Sequence, residues 1–450
     1  MTSFRSAAVL LAAIGTLSGC APAVTDQVTV VPAANQTVRD YTKAEDVAAA
    51  LAANDVAAIH GRFTPEAAGA ISAEQLTAVW QQVVSQMGAL KSIKRETPPD
   101  VKAEQVALLN FEKGALHLLL AVTDGDRIAG LRLVPVASTA ATPSVEPLAA
   151  DDTITEQPMQ FSAVGGPPLV GTLTLPKSVR NPPAVVLVHG SGPQDRYETI
   201  SANRPFLDIA RGLARQGIAV LSYDKRTFAH AKDIDTSTLT LDQETTDDAL
   251  AAIQWLRSSG SVDANRLFVL GHSQGGLVAP RMLSRDTRIK GAVLLAGPAT
   301  RLLDLLPHQN RTLLGDQIDT PQGKAHMDMI NGFIRTVRDP KANGNDKLIG
   351  LPLNYWRSVD AVDPLADARQ AKQPLLILQG AKDFQVIEQD WAPWKSFAAK
   401  QPKRVTFKLY PTLNHLAIPT EGKPGVEDYV SPRPVDPGLI KDVAAWIRKH

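Results

Sequence analysis

Leu267-Phe268-Val269-Leu270 runs without a break into Gly271-His272-Ser273-Gln274-Gly275-Gly276, and a helix-compatible stretch follows over 275–284. A short apolar strand, a Gly-x-Ser-x-Gly turn and a helix, in that order, form the pattern of a nucleophile elbow. Such a turn is sharp and holds its serine in a strained backbone conformation. Strand and helix then approach closely, so the flanking positions, here Gly271 and Gly275, must be small. The rest of the chain must supply strands of the same kind, and it does. Short apolar runs stand at 184–188, 218–223, 266–270 and 289–296, separated by helical patterns near 205–216, 241–258 and 275–284. Two further runs, 374–379 and 405–410, follow, and a helix from about 438 closes the chain. Alternating helices and continuously apolar strands predict an α/β fold with a mostly parallel sheet covered on both faces. Runs at 161–164 and 169–175, divided by Gly165-Gly166-Pro167-Pro168, predict an antiparallel pair at one sheet edge.

A serine hydroxyl is a weak nucleophile and needs a base within hydrogen-bond reach, itself oriented by a carboxylate. A serine at a strand–turn–helix elbow takes these partners in chain order, acid and then histidine. Of the nine histidines, His308, His326, His415 and His450 lie beyond Ser273. His415 follows the run 405–410 in Pro411-Thr412-Leu413-Asn414-His415, at the carboxyl edge of the expected sheet, and is assigned as the base. His308 and His326 fall in an insertion, and His450 is the last residue, where chains fray. The acid should leave the preceding strand. Gly380-Ala381-Lys382-Asp383 does so, which favours Asp383 over Glu388 and Asp390, both expected in a helix, and over Asp360 and Asp363, expected as caps or surface carboxylates.

The oxyanion also needs donors. His189-Gly190-Ser191-Gly192-Pro193 follows the run 184–188 as a glycine-rich turn. The amide of Gln274, directly after the nucleophile, is expected to give one donor and that of Ser191 the other, with Gly192 the alternative. His189, ahead of the nucleophile, reads as a residue that fixes this turn. Asp195, Arg196, Asp224, Lys225 and Arg226 are expected to pair across the floor of the site, the other reading of Arg226 being a contact to a substrate carboxylate.

Four stretches, His189 to Arg196, Tyr223-Asp224-Lys225-Arg226, Gly271 to Gly276 and Gly380 to Val386, together resemble the α/β-hydrolase superfamily. Within it they are most similar to bacterial carboxylesterases of the serine-aminopeptidase-like group, and the resemblance covers about 155–450. It implies an acyl-enzyme mechanism without metal or organic cofactor, and a cap built from an insertion at about 298–372. One departure is visible. Relatives often continue Tyr-Asp-Lys-Arg with Gly-x-Gly where this chain has Thr227-Phe228-Ala229-His230, so the shape of the acyl pocket does not carry over.

The part before 154 has a different texture. One basic residue, an apolar run over 6–16 and Leu17-Ser18-Gly19-Cys20 read as a signal peptide, 1–19, too short for a permanent span of about 20 apolar residues. Its end resembles the bacterial lipoprotein signal, which makes Cys20, the sole cysteine of 450 residues, the expected lipidation site. A tether over 20–41 and a small α+β domain over 42–136 follow, with helices at 43–59 and 73–90 and strands at 106–111, 115–122 and 128–136. That domain offers no clustered chemistry. A linker, 137–153, leads to the hydrolase at 154–450.

A single cysteine excludes an internal disulfide framework and cysteine-based metal sites. Forty-seven basic against 46 acidic residues leave a net charge of +1, with no basic field for nucleic acid. The expectation is therefore an exported, lipid-anchored serine hydrolase of the bacterial cell envelope, acting on small-molecule carboxylic esters and meeting the membrane through Cys20. The alternatives are a peptidase or amidase with the same triad, for which Asp304, Asp316 or Asp328 would bind a free amino terminus, and a non-catalytic envelope-binding lipoprotein.

Overall fold

A computed structural model describes residues 41–96, 104–135 and 152–450, apart from positions 113, 124, 232 and 423. The expected signal peptide, Cys20, nearly all of the tether and 137–151 of the linker lie outside the described residues. The chain divides into two compact units near residue 142.

The first unit carries helices Ala44–Ala52, Val56–His60, Pro65–Ala70 and Ala73–Met87, then an antiparallel sheet. The strands β1 (Leu90–Glu96), β2 (Glu104–Phe111), β3 (Gly114–Val122) and β4 (Ile128–Pro135) pair in sequence order. Leu51, Ile59, Leu109, Leu118, Leu120 and Ile128 are fully buried and close the sheet face against the helices. The single helix expected over 43–59 is broken, because Asn54 adopts φ 57°, which ends one helix and lets the next begin two residues later. β1 was not expected. Its sequence, Leu-Lys-Ser-Ile-Lys-Arg-Glu, has too few apolar residues to stand out, and its edge position tolerates that.

The second unit is built on eight strands in the order β14-β13-β10-β9-β7-β8-β6-β5. β5 (Ile154–Ser162) and β6 (Pro168–Pro176) form the expected antiparallel edge, and β6 also runs antiparallel to β8 (Ala219–Tyr223). From β8 onward, β7 (Ala184–Val188), β9 (Leu267–His272), β10 (Gly291–Leu295), β13 (Leu375–Gly380) and β14 (Val405–Tyr410) are parallel neighbours. Side chains alternate between the two faces. Val186 and Val188 enter a core shared with helices Asp247–Ser258, Gln274–Arg285 and Glu388–Lys400, whereas Val185 and Leu187 enter one shared with helices Pro205–Arg215 and Pro437–Lys449. Both faces being covered, β7, β8, β9, β10 and β13 are buried from end to end, which is why they read as unbroken apolar runs.

The insertion contains helices Leu302–Leu314, Pro321–Arg338, Leu353–Asp360 and Pro364–Gln370 and a hairpin of β11 (Lys347–Leu348) and β12 (Leu351–Pro352). Leu303, Leu305, Ile330, Val337, Leu353 and Val359 are buried in the core of the Asp247–Ser258 face, so they fasten the insertion to the sheet layer.

Candidate active site

β9 is buried to its last residue and delivers Ser273 at φ 52°, ψ −116°, immediately before helix Gln274–Arg285. A non-glycine residue there stores about 1–3 kcal/mol of backbone strain. Its amide donates to Leu295 O of β10 at 2.9 Å, which fixes the turn to the neighbouring strand. The flanking glycines are required by close approach. A Cβ at Gly271 would lie 2.1 Å from Gly275 O, and one at Gly275 would lie 2.1 Å from Val188 O at the end of β7.

The loops after β13 and β14 bring Asp383 and His415 to the same sheet edge. Asp383 Oδ2 lies 2.8 Å from His415 Nδ1 and also accepts from Gln379 Nε2 at 3.0 Å. Its Oδ1 accepts from the amides of Gln385 at 2.8 Å and Val386 at 2.9 Å, so both oxygens are fixed and the carboxylate cannot swing away. With Nδ1 held by the carboxylate, His415 presents Nε2 as its free acceptor. The imidazole sits beside the residue that precedes Ser273: the His272 and His415 rings are 4.7 Å apart, and His272 Nε2 donates to His415 O at 2.9 Å.

The other candidate acids are occupied elsewhere. Asp363 caps helix Pro364–Gln370 by accepting from the Ala366 amide at 2.9 Å, and Asp360 pairs with Arg338. Asp390 lies in the first turn of helix Glu388–Lys400 together with Glu388. It is buried with Oδ1 3.3 Å from Thr300 Oγ1, and burial raises its pKa to about 7. Of the other histidines, His326 in the insertion bonds Asn310 at 2.6 Å, and His450, the last residue, packs on Trp446.

The glycine-rich turn expected to hold the oxyanion, 189–193, follows β7. Among the described residues, neither the Ser191 nor the Gln274 amide has an acceptor, and the same holds for Gly192, so all three expected donors are unspent. The Gly190 amide is not available, because it donates to Glu198 Oε1 at 2.6 Å. His189 takes the structural role expected of it. Its ring is buried, bonds Asp195 O at 3.0 Å and meets Tyr223 edge-on at 5.2 Å. Burial, with a smaller contribution from the Lys225 charge and against the pull of Glu198, lowers its pKa to about 4.

The ion network at the floor differs in membership from the sequence expectation. Arg196 forks onto Asp224 at 3.0 and 2.6 Å. Arg226 forks onto Asp248 at 2.8 and 2.6 Å, which commits it to the protein rather than to a substrate. Asp195 pairs with none of these cations. It closes its own turn, accepting from the Thr199 amide at 2.9 Å and the Thr199 hydroxyl at 2.7 Å. Lys225 is buried and pairs with Glu244 at 3.3 Å.

Several of these residues escaped the sequence reading. Asp248 and Glu244 belong to a helical stretch whose acids look like an exposed first turn. Glu198, in Tyr-Glu-Thr, carries no pattern at all, yet it is buried at φ 51° and its Oε2 lies 2.9 Å from His272 Nδ1. That contact is a charge contact without hydrogen-bond alignment, and neither atom has another hydrogen-bond partner among the described residues. Burial alone would lower the His272 pKa. The Glu198 charge, the His415 carbonyl and the Asp383 charge together raise it above the ordinary value.

A family model described as serine aminopeptidase, S33, matches residues 182–421. Esterase EstD of Thermotoga maritima is 29% identical over 383 residues, covering 84% of this chain and 88% of that protein. Among solved structures, an esterase of Pyrococcus furiosus is 17% identical with a TM-score of 0.43, over 66% of this chain and 91% of its own. Est1E from Butyrivibrio proteoclasticus with bound ferulic acid is 20% identical with a TM-score of 0.43, over 65% of this chain and all of its own.

Proposed function

The chain belongs to the serine aminopeptidase S33 family, with the α/β-hydrolase fold, and is a carboxylesterase-type hydrolase; from that premise we propose that it cleaves carboxylic esters of small to medium acyl chain through an acyl-enzyme on Ser273. The observation that carries this reading is the strained Ser273 at the end of β9 with the His415–Asp383 pair, 2.8 Å across, at the same sheet edge, the His415 ring packed on His272, the residue before Ser273. Ser273 Oγ attacks the ester carbonyl carbon while His415 Nε2 takes its proton. Asp383 stabilises the imidazolium, and the amides of Gln274 and Ser191 or Gly192 hold the oxyanion. The proton returns to the leaving alcohol, and water, deprotonated by the same histidine, releases the acid.

The peptidase reading has less support. Asp304, one of the acids that would hold a free amino terminus, is spent on Arg338 at 2.7 Å, and Asp316 and Asp328 are exposed. Incubating the protein with a fluorophosphonate probe and with p-nitrophenyl acetate, p-nitrophenyl butyrate and aminoacyl anilides tests the whole reading. Labelling that vanishes in Ser273→Ala together with ester turnover is expected. Turnover of anilides alone would sink the esterase assignment, and absence of labelling in the wild type would sink the mechanism. We also propose that Cys20 carries lipid and holds the enzyme at a membrane of the cell envelope, on the strength of the Leu17-Ser18-Gly19-Cys20 sequence. Membrane fractionation of Cys20→Ser checks it, with a shift to the soluble fraction expected.

A further inference from the structure

The Lys225 side chain is 1% exposed, and a buried ammonium is costly unless all three N–H bonds are satisfied. Its Nζ donates to Gly190 O at 3.0 Å and Gly192 O at 3.1 Å, and it lies 3.3 Å from Glu244 Oε1. Two of its three partners are thus backbone carbonyls on either side of Ser191. The carbonyl of Gly190 and the amide of Ser191 belong to one planar trans peptide, so they point in opposite directions. Whatever fixes Gly190 O therefore fixes the aim of the Ser191 N–H. A cation on that oxygen also draws electron density through the amide and strengthens the N–H as a donor. At Gly192 the logic differs, because the peptide unit of its carbonyl continues into Pro193, which has no N–H. The second bond anchors the far end of the turn.

The anchor has its own support. Glu244 Oε1 accepts from Thr227 Oγ1 at 3.1 Å, and Oε2 accepts from the Tyr355 hydroxyl at 2.6 Å. Tyr355 is buried in helix Leu353–Asp360 of the insertion. A continuous chain of polar contacts therefore runs from the insertion through Tyr355, Glu244 and Lys225 to the peptide before Ser191.

We propose that Lys225, held by Glu244 and Tyr355, is the positioning residue of the oxyanion hole, and that it selects the Ser191 amide over that of Gly192 as the second donor. This rests on the acyl-enzyme reading given above. The side chain touches no substrate, so its role is read in transition-state stabilisation rather than in substrate binding.

The test uses the full chain. Wild type, Lys225→Met and Tyr355→Phe are compared in p-nitrophenyl butyrate hydrolysis and in inhibition by a trifluoromethyl ketone, which forms a tetrahedral oxyanion on the serine. Loss of one oxyanion donor costs about 10²–10³ in kcat, and misalignment costs less. Lys225→Met is therefore expected to lower kcat by roughly 10- to 100-fold at nearly constant KM and to raise the ketone Ki by the same factor. Tyr355→Phe, which removes one hydroxyl and keeps the ring, should give a smaller loss of about threefold to tenfold in the same two quantities. Should Lys225→Met fail to fold, Tyr355→Phe decides alone. The proposal is overturned if the folded variants keep kcat and ketone Ki within about twofold of wild type, or if the loss falls on KM with Ki unchanged. A wild type that neither turns over ester nor reacts with fluorophosphonate would be a failure of the acyl-enzyme reading itself, which the comparison with variants distinguishes.

Discussion

Asp383 spends one oxygen on two backbone amides and shares the other between Gln379 and His415. Asn at this position would keep the shape but present an N–H where His415 needs an acceptor, turning the ring to the wrong tautomer. Asp383→Asn is expected to lower kcat for p-nitrophenyl butyrate by roughly 10³–10⁴-fold, and to cost about 1–3 kcal/mol in urea unfolding because Gln379 loses an acceptor. Two of the buried histidines at the site, His189 and His272, respond to acid in opposite senses. His189, lowered from 6.5 to about 4, stays neutral in the folded state while the unfolded chain takes up a proton, so its contribution is lost as pH falls from about 6.5 toward 4. His272, raised above 6.5, gives stability below that value that fades as pH rises through its folded pKa. Melting temperature measured across pH 4 to 6.5 should therefore fall less steeply in His189→Gln, where no proton is taken up on unfolding. An equal slope in both proteins would show that His189 is not the group responsible.

The strands β9 and β13, which lead to Ser273 and Asp383, are legible because each is an apolar run buried on both faces of the sheet, and β14, ahead of His415, is legible as an edge strand in which Val405, Phe407 and Leu409 alternate with Thr406 and Lys408. What it concealed are contacts between elements distant in the chain. The helix expected over 241–258 begins instead with a π-helical turn, Asp242–Thr246, which leaves Glu244, Thr245 and Thr246 buried. No periodicity announces such a turn, yet it places Glu244 against Lys225. Glu198 escaped for the same reason, since its partners, Gly190 and His272, are set by the closure of the sheet and not by local spacing. The Arg226–Asp248 pair joins the short helix Arg226–Ala229 to helix Asp247–Ser258 across 22 residues, with the Asp248 side chain fully buried. Arg226→Met would leave that carboxylate without its fork. A loss of about 3–5 kcal/mol in urea unfolding is expected, with KM of the residual enzyme unchanged if Arg226 has no part in holding substrate. A raised KM at unaltered stability would restore the substrate-carboxylate reading.

At the scale of the chain, the match to Esterase EstD covers 84% of its length, more than the stretch from Ile154 to His450, so the similarity reaches into the first unit. Among the described residues, that unit shows no clustered acid, base and nucleophile. His60 bonds a backbone carbonyl, Ile71 O, at 2.9 Å, and His117 pairs with Glu96 in an exposed position at 2.7 Å. The second unit, by contrast, holds every residue assigned to the chemistry and both core layers of the sheet, together with the insertion and its Tyr355 link to the oxyanion turn. The contacts that bring Ser273, Asp383, His415 and the turn after β7 together all lie within 152–450. A chain of residues 150–450 is expected to fold cooperatively and to hydrolyse p-nitrophenyl butyrate with kcat within about threefold of the full-length enzyme, since no transition-state contact is removed. Circular dichroism and urea unfolding establish that the shortened chain is folded. A well-folded 150–450 protein without esterase activity would mean that the first unit contributes to the site, and would place a functional residue among its helices or its sheet.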